Sequence, residues 1–267
     1  MHWQTLVLAL LTEHVRAQNA SMPMMRFSCS QLVIDRIDPL VTPGQVPSPH
    51  LHQIVGGNSF NATMDPATHD LPSQSTCTSC TFSEDFSNYW TAVLYFRARN
   101  GTYIRVPQGV SAGLRADGGI TVYYIPPYDG KKVVAFKPGF RMLVGDAAAG
   151  ETSPGSDPKV CHRCMPKTGE GGYVNCASPD SKTLPTGFCE GGIRSVITFP
   201  TCWDGKNTDS PDHKSHVSHP ISGNFDRSTD KCPSTHPVLI PQVMYEVIWN
   251  VSNLSSLCPV ITFMVRG

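Results

Sequence analysis

Ten cysteines lie between Cys29 and Cys258, spaced among 23 prolines and 22 glycines. That many thiols, interleaved with residues that break helices and turn the backbone, are more simply explained by disulfides than by catalysis. A secreted domain stapled by several disulfides is therefore the expected class. Two CxxC pairs, Cys77-Thr-Ser-Cys80 and Cys161-His-Arg-Cys164, raise zinc as an alternative, but they stand much farther apart than zinc-ribbon pairs do. Cys176, Cys189, Cys202 and Cys232 follow the second pair closely, which again favours disulfides. The pairing itself cannot be read from the spacing.

The chain has 267 residues, of which 40% are hydrophobic and 16% charged, enough apolar material for a core and too little charge for a disordered chain. Basic and acidic residues balance at 21 each, with no block of like charge, so no nucleic-acid partner is expected. At the N-terminus, Leu6-Val-Leu-Ala-Leu-Leu11 followed by Val15-Arg-Ala17 resembles a signal peptide over residues 1–17. The run is too short to span a bilayer, so no membrane span is expected. Sequons at Asn19, Asn61, Asn100, Asn250 and Asn253 agree with export as a glycoprotein.

Runs of aromatic and β-favouring residues recur between Pro- and Gly-rich breaks, and no stretch offers a long, capped, helix-period run. Arg26 to Ile34 reads as a first strand. His50 to Val55 reads as another, with His50, His52 and Ile54 on one face and Leu51, Gln53 and Val55 on the other. Tyr89 to Arg99 carries the strongest strand signal; Asn100-Gly101 then signals a type I′ turn into Thr102 to Val106. Ile120 to Ile125, Val133 to Phe136 and Phe140 to Val144 are expected to continue as a meander, with later strands over 195–199 and 243–249. The fold expected is mainly β, with sandwich-like antiparallel sheets and long disulfide-stapled loops. A single domain over 18–250 would follow the signal peptide.

Chemistry concentrates in Phe199 to Val217, a Pro- and Gly-broken segment with Asp204, Asp209, Asp212, His213 and His216. Loops on a rigid scaffold commonly carry function. With His50 and His52, the histidines His213 and His216 would supply nitrogen ligands for zinc or copper. The competing reading is that these imidazoles hydrogen-bond backbone, since neither HxH nor HxxH is specific alone. A second candidate is acid/base cleavage of a glycosidic bond by Asp204, Asp209 or Asp212, with Trp203, Tyr123, Tyr124 and Tyr128 as platforms for sugar rings. Against it stands turn chemistry, in which Asp bonds the neighbouring backbone.

Several motifs in order resemble one known family: Arg26-Phe-Ser-Cys-Ser-Gln-Leu, Asp38-Pro-Leu-Val, Pro47-Ser-Pro-His-Leu-His-Gln-Ile-Val-Gly-Gly, Cys77-Thr-Ser-Cys-Thr-Phe-Ser-Glu-Asp-Phe-Ser-Asn-Tyr-Trp, and Pro200-Thr-Cys-Trp-Asp-Gly-Lys-Asn through Asp212-His-Lys-Ser-His-Val. It is a fungal secreted family catalogued as a domain of unknown function, some of whose members are joined to WSC carbohydrate-binding modules. The resemblance implies an extracellular, cell-wall-associated role with cell-wall polysaccharide as partner. The end departs from the family, whose members continue into a Gly-Tyr-Gly-x-His-Gly-Asp-Tyr segment. Residues 251–267 form a divergent tail in its place and look like a truncated end, so a final strand and a His and Asp of the polar site are expected to be missing.

Overall fold

A computed structural model describes residues 24–109, 114, 118–127, 130–145, 159–168, 176, 178–221 and 231–252, together with the backbone of 263–266. The expected signal peptide, the sequons at Asn19 and Asn253, and Tyr128 lie outside them.

Alternating apolar residues assemble into two large antiparallel sheets. The first runs in the order β1 (Met25–Cys29), β7 (Ile120–Ile125), β13 (Gln242–Trp249), β9 (Ile193–Thr198) and β8 (Val160–Cys164), with β6 (Gln108–Gly109) also on β13. The second contains β2 (Val33–Asp35), β3 (His52–Gly56), β4 (Asn88–Arg97), β5 (Tyr103–Arg105) and β14 (Phe263–Arg266). Phe27, Val122, Ile193, Val243, Tyr245 and Val247 of the first sheet share one buried cluster with Val55, Tyr89, Leu94 and Phe96 of the second. The two sheets thus cover a common core, each large apolar side chain contributing about 1.5–3 kcal/mol by leaving water. Helix is confined, among the described residues, to the single turn α1 (Leu71–Gln74).

A strand expected as one piece over 26–34 divides in two. Ser30 donates its amide to Ser79 and Leu32 donates to Ile54, so the chain crosses from the first sheet to the second between β1 and β2. The hairpin of β4 and β5 forms as expected, with a different turn. Gly101 N–H donates to the Ala98 carbonyl at 2.9 Å, Ala98 N–H to Thr102 at 2.8 Å, and only Gly101 of the loop has positive φ, +84°. That is a type I turn closed by a left-handed glycine, because Asn100 keeps an ordinary backbone and uses its side chain to accept from Thr102 N–H at 3.0 Å.

The expected meander stops after β7, which pairs with β1 and β13 instead of a sequence neighbour. Residues 130–145 form no strand. Pro138 supplies no N–H, and the amides of Val134, Arg141 and Leu143 donate to the carbonyls of Leu239, Thr208 and His213. This segment lays Phe136 and Phe140 beside Trp203, Val217 and Ile240, a second core under a small sheet of β10 (Cys202–Trp203), β11 (Val217–Ser218) and β12 (Val238–Leu239). At the other end of the chain, the tail backbone of β14 pairs with Val93 to Phe96 of β4. The tail thus adds a strand to the second sheet.

Among the described residues the disulfides are Cys29–Cys80, Cys161–Cys176, Cys164–Cys189 and Cys202–Cys232. Neither CxxC pair closes on itself, and Cys77, exposed, bonds to no other cysteine among the described residues.

Candidate functional site

His50 and His52 stand at the entry of β3, and the period-two expectation holds: their rings lie 6.0 Å apart, edge to face. What orients them is the turn after β2. Asp38, with its side chain 2% exposed, accepts the backbone N–H groups of Leu40 and Val41 at 3.0 and 2.9 Å through Oδ1. Its Oδ2 accepts from His50 Nδ1 at 2.9 Å. Burial pushes the Asp38 carboxyl up, but the His50 ring and the two amides outweigh it and hold it below the usual carboxylate range. His50 Nε2 makes no hydrogen bond to a described residue. His52 donates from Nδ1 to the Ile37 carbonyl at 3.0 Å, and burial pulls its pKa below that of a free imidazole.

The 199–217 segment begins with Trp203, which is 3% exposed and gives its indole N–H to the Asn207 carbonyl at 2.6 Å. Asp204 closes the turn that follows, Oδ1 accepting from the amides of Lys206 and Asn207 and Oδ2 from the Asn207 side chain. Slight burial raises its pKa, yet these donors bring the net below the ordinary value. Asp212 closes the next turn, Oδ1 accepting from Ser215 N–H, Ser210 Oγ, Lys214 N–H and Ser215 Oγ, which holds it well below the carboxylate range. Both carboxylates are ionised turn staples, and neither keeps a proton to give.

The turn that Asp212 shapes aims two histidines inward. His213 sits at φ +54° and donates from Nδ1 to Asp209 Oδ1 at 2.7 Å and from Nε2 to the Leu40 carbonyl at 3.1 Å. His216 is 1% exposed, donates from Nε2 to the Arg141 carbonyl at 2.7 Å, meets Ser210 Oγ at 2.9 Å with Nδ1 and packs 5.4 Å from the Phe140 ring. The fold thus brings His50 and His213 to one turn, Asp38 to Val41, with His52 bonded to the preceding Ile37 and Asp209 behind His213. Asp204, Asp212 and His216 serve the architecture of the neighbouring loop.

Zinc or copper would need lone pairs of His213 and His216 that this arrangement has used. His213 and His216 commit both ring nitrogens to the protein, and no group of three or more His, Cys, Asp or Glu side chains among the described residues is arranged to hold a metal ion. The residues present do not fit a metal centre. The aromatic platforms expected at Trp203 and Tyr123 are buried, and Tyr124 is tied to Tyr89 by a 2.8 Å hydroxyl contact.

Asp38 and Trp90 are absent from the sequence-derived site. Asp38 precedes a proline and reads as an ordinary turn residue; its bond to His50 spans 12 residues and follows from the return of the chain into β3.

A disulfide-stapled β-sandwich domain with two carboxylate–imidazole pairs on converging loops is thereby defined. A model of the domain of unknown function DUF1996 matches residues 38–261, more than half the chain, and the protein belongs to that family. The match extends into the tail expected to diverge. No curated protein and no solved structure matches the chain.

Proposed function

We propose that this is an extracellular, fungal cell-wall-associated protein that cleaves wall polysaccharide by hydrolysis, with His50 as the proton donor. The observation that carries the reading is the Asp38–His50 pair: a buried carboxylate accepts from Nδ1 at 2.9 Å and orients the ring, while Nε2 makes no hydrogen bond to a described residue. In the reaction, His50 Nε2 gives its proton to the leaving glycosidic oxygen as the C–O bond breaks. A water forms the new bond to the anomeric carbon, and its proton passes to His52, which burial keeps neutral. Two similar groups thus take opposite roles because their surroundings differ. Asp209 and His213 support the turn that presents Asp38.

Four disulfides and the exposed sequon asparagines Asn61, Asn100 and Asn250 support the extracellular placement. The test is release of reducing ends from purified β-glucan, chitin and mannan. His50→Gln is expected to lower the rate by about 10²–10⁴-fold and Asp212→Asn to spare it. Cleavage undiminished in His50→Gln overturns the assignment. A second reading, a non-catalytic wall-glycan-binding protein, is favoured by the structural use of Asp204, Asp212 and His216. It is supported if the wild type binds glycan tightly, releases no reducing ends and still binds after Asp212→Ala.

A further inference from the structure

We infer that Trp90, braced by Phe60, is a stacking subsite for a pyranose ring of the glycan, next to His52 and His50. The inference rests on the polysaccharide reading above and adds to it a residue that sets which sugars are held.

Strand register places the ring. In the β3–β4 pair, His52 stands opposite Ala92 and Ile54 opposite Trp90, while Gln53 faces Thr91 and Val55 faces Tyr89. Val55 and Tyr89 belong to the core between the sheets, so the alternate set, His52, Ile54, Ala92 and Trp90, lies on the opposite face. Trp90 is the diagonal neighbour of His52, a separation of roughly 7–8 Å. His50, two residues before His52, continues the same row.

The indole itself differs from the other described tryptophans. Trp203 and Trp249 are 3% and 4% exposed, and each gives its N–H to the protein, to Asn207 O at 2.6 Å and Ser195 Oγ at 3.0 Å. Trp90 is only half-buried, and its N–H has no acceptor among the described residues. A tryptophan needed only for packing is normally buried with its N–H satisfied. Phe60 meets Trp90 edge-to-face at 5.8 Å and 65°, which holds the indole plane without adding a polar partner. The electron-rich face of such a ring attracts the C–H groups of a pyranose, and the leftover N–H suits a sugar hydroxyl. The ligand class that fits is a β-linked pyranose chain with equatorial hydroxyls, whose rings present flat C–H faces.

Calorimetric titration of the full chain with β-1,3-glucan and chitin oligosaccharides tests this. Trp90→Ala is expected to weaken binding about tenfold or more, and Trp90→Phe less. Because Trp90→Ala can also disturb packing, tryptophan oxidation of the wild type by N-bromosuccinimide, mapped by peptide mass, supplies a second readout. Slower oxidation of Trp90 with oligosaccharide present supports the subsite. If the wild type binds and cleaves glycan while Trp90 oxidises equally fast with and without it, the subsite is overturned and the hydrolytic reading stands. If the wild type binds no oligosaccharide, both fall together.

Discussion

His213 Nε2 donates to the carbonyl of Leu40 at 3.1 Å, a bond between residues 173 positions apart. The same ring donates to Asp209, so one imidazole ties the 209–213 turn to the turn that holds Asp38. His213→Ala removes both bonds, one of them to a charged acceptor, and is expected to cost roughly 2–3 kcal/mol. Urea unfolding measures it; a loss below about 0.5 kcal/mol would show that the tie contributes nothing.

Asp38 and Asp212 separate chemistry from scaffolding. In Asp38→Asn the amide no longer offers His50 Nδ1 a charged acceptor, and the ring loses the bond that orients it. Activity should fall about 10²–10⁴-fold. Asp212→Asn leaves His50 untouched and should raise proteolytic nicking of the 204–216 loop while the rate holds. Equal losses of rate in the two variants would contradict the assignment.

Acid should weaken the fold through its buried imidazoles. Burial pushes His162 down to about 4, partly offset by Asp180, and lowers His52 as well. Below pH 6.5 an unfolded chain takes up protons that these folded rings refuse, so their contribution is complete above 6.5 and is lost as pH falls towards 4. Asp38, depressed in the fold, adds a further loss below its unfolded value of 3.8. The urea midpoint is expected to drop between pH 7.5 and 4.5, and to drop less in His162→Gln. An identical drop in that variant would clear His162 of the effect.

Cys29 and Cys80 are both buried in the core between the sheets and close a sequence separation of 51. Replacing both with alanine is expected to cost about 2–5 kcal/mol, read as a fall in Tm. Peptide mapping without reductant should return the four described pairs.

Much of the scaffold was legible because its signals are local. β-Favouring and aromatic residues in Tyr89 to Phe96 and Val243 to Trp249 mark strands wherever they pair, and Asn100-Gly101 marks a turn whichever subtype forms. The same local signal misled at Val133 to Phe136, where β-favouring residues form no strand and Val134 N–H makes a single bond to Leu239 on the edge strand β12. In the site, the side-by-side placement of His50 and His52 followed from period two alone, whereas Asp204 and Asp212 read equally well as catalysts and as turn staples. Only the donors around each carboxylate distinguish those roles.

The sequence by itself determined the class: cysteine number, turn residues and two-residue periodicity specify a disulfide-stapled β domain. Tertiary structure decided which carboxylate meets which imidazole, which thiols pair, and that Trp90 rather than Trp203 reaches the surface. The physical reason is that alternation and turn preference act within a few residues. The cost of closing a loop, by contrast, grows only with the logarithm of its length, so spacing along the chain does not select a distant partner such as Leu40 for His213.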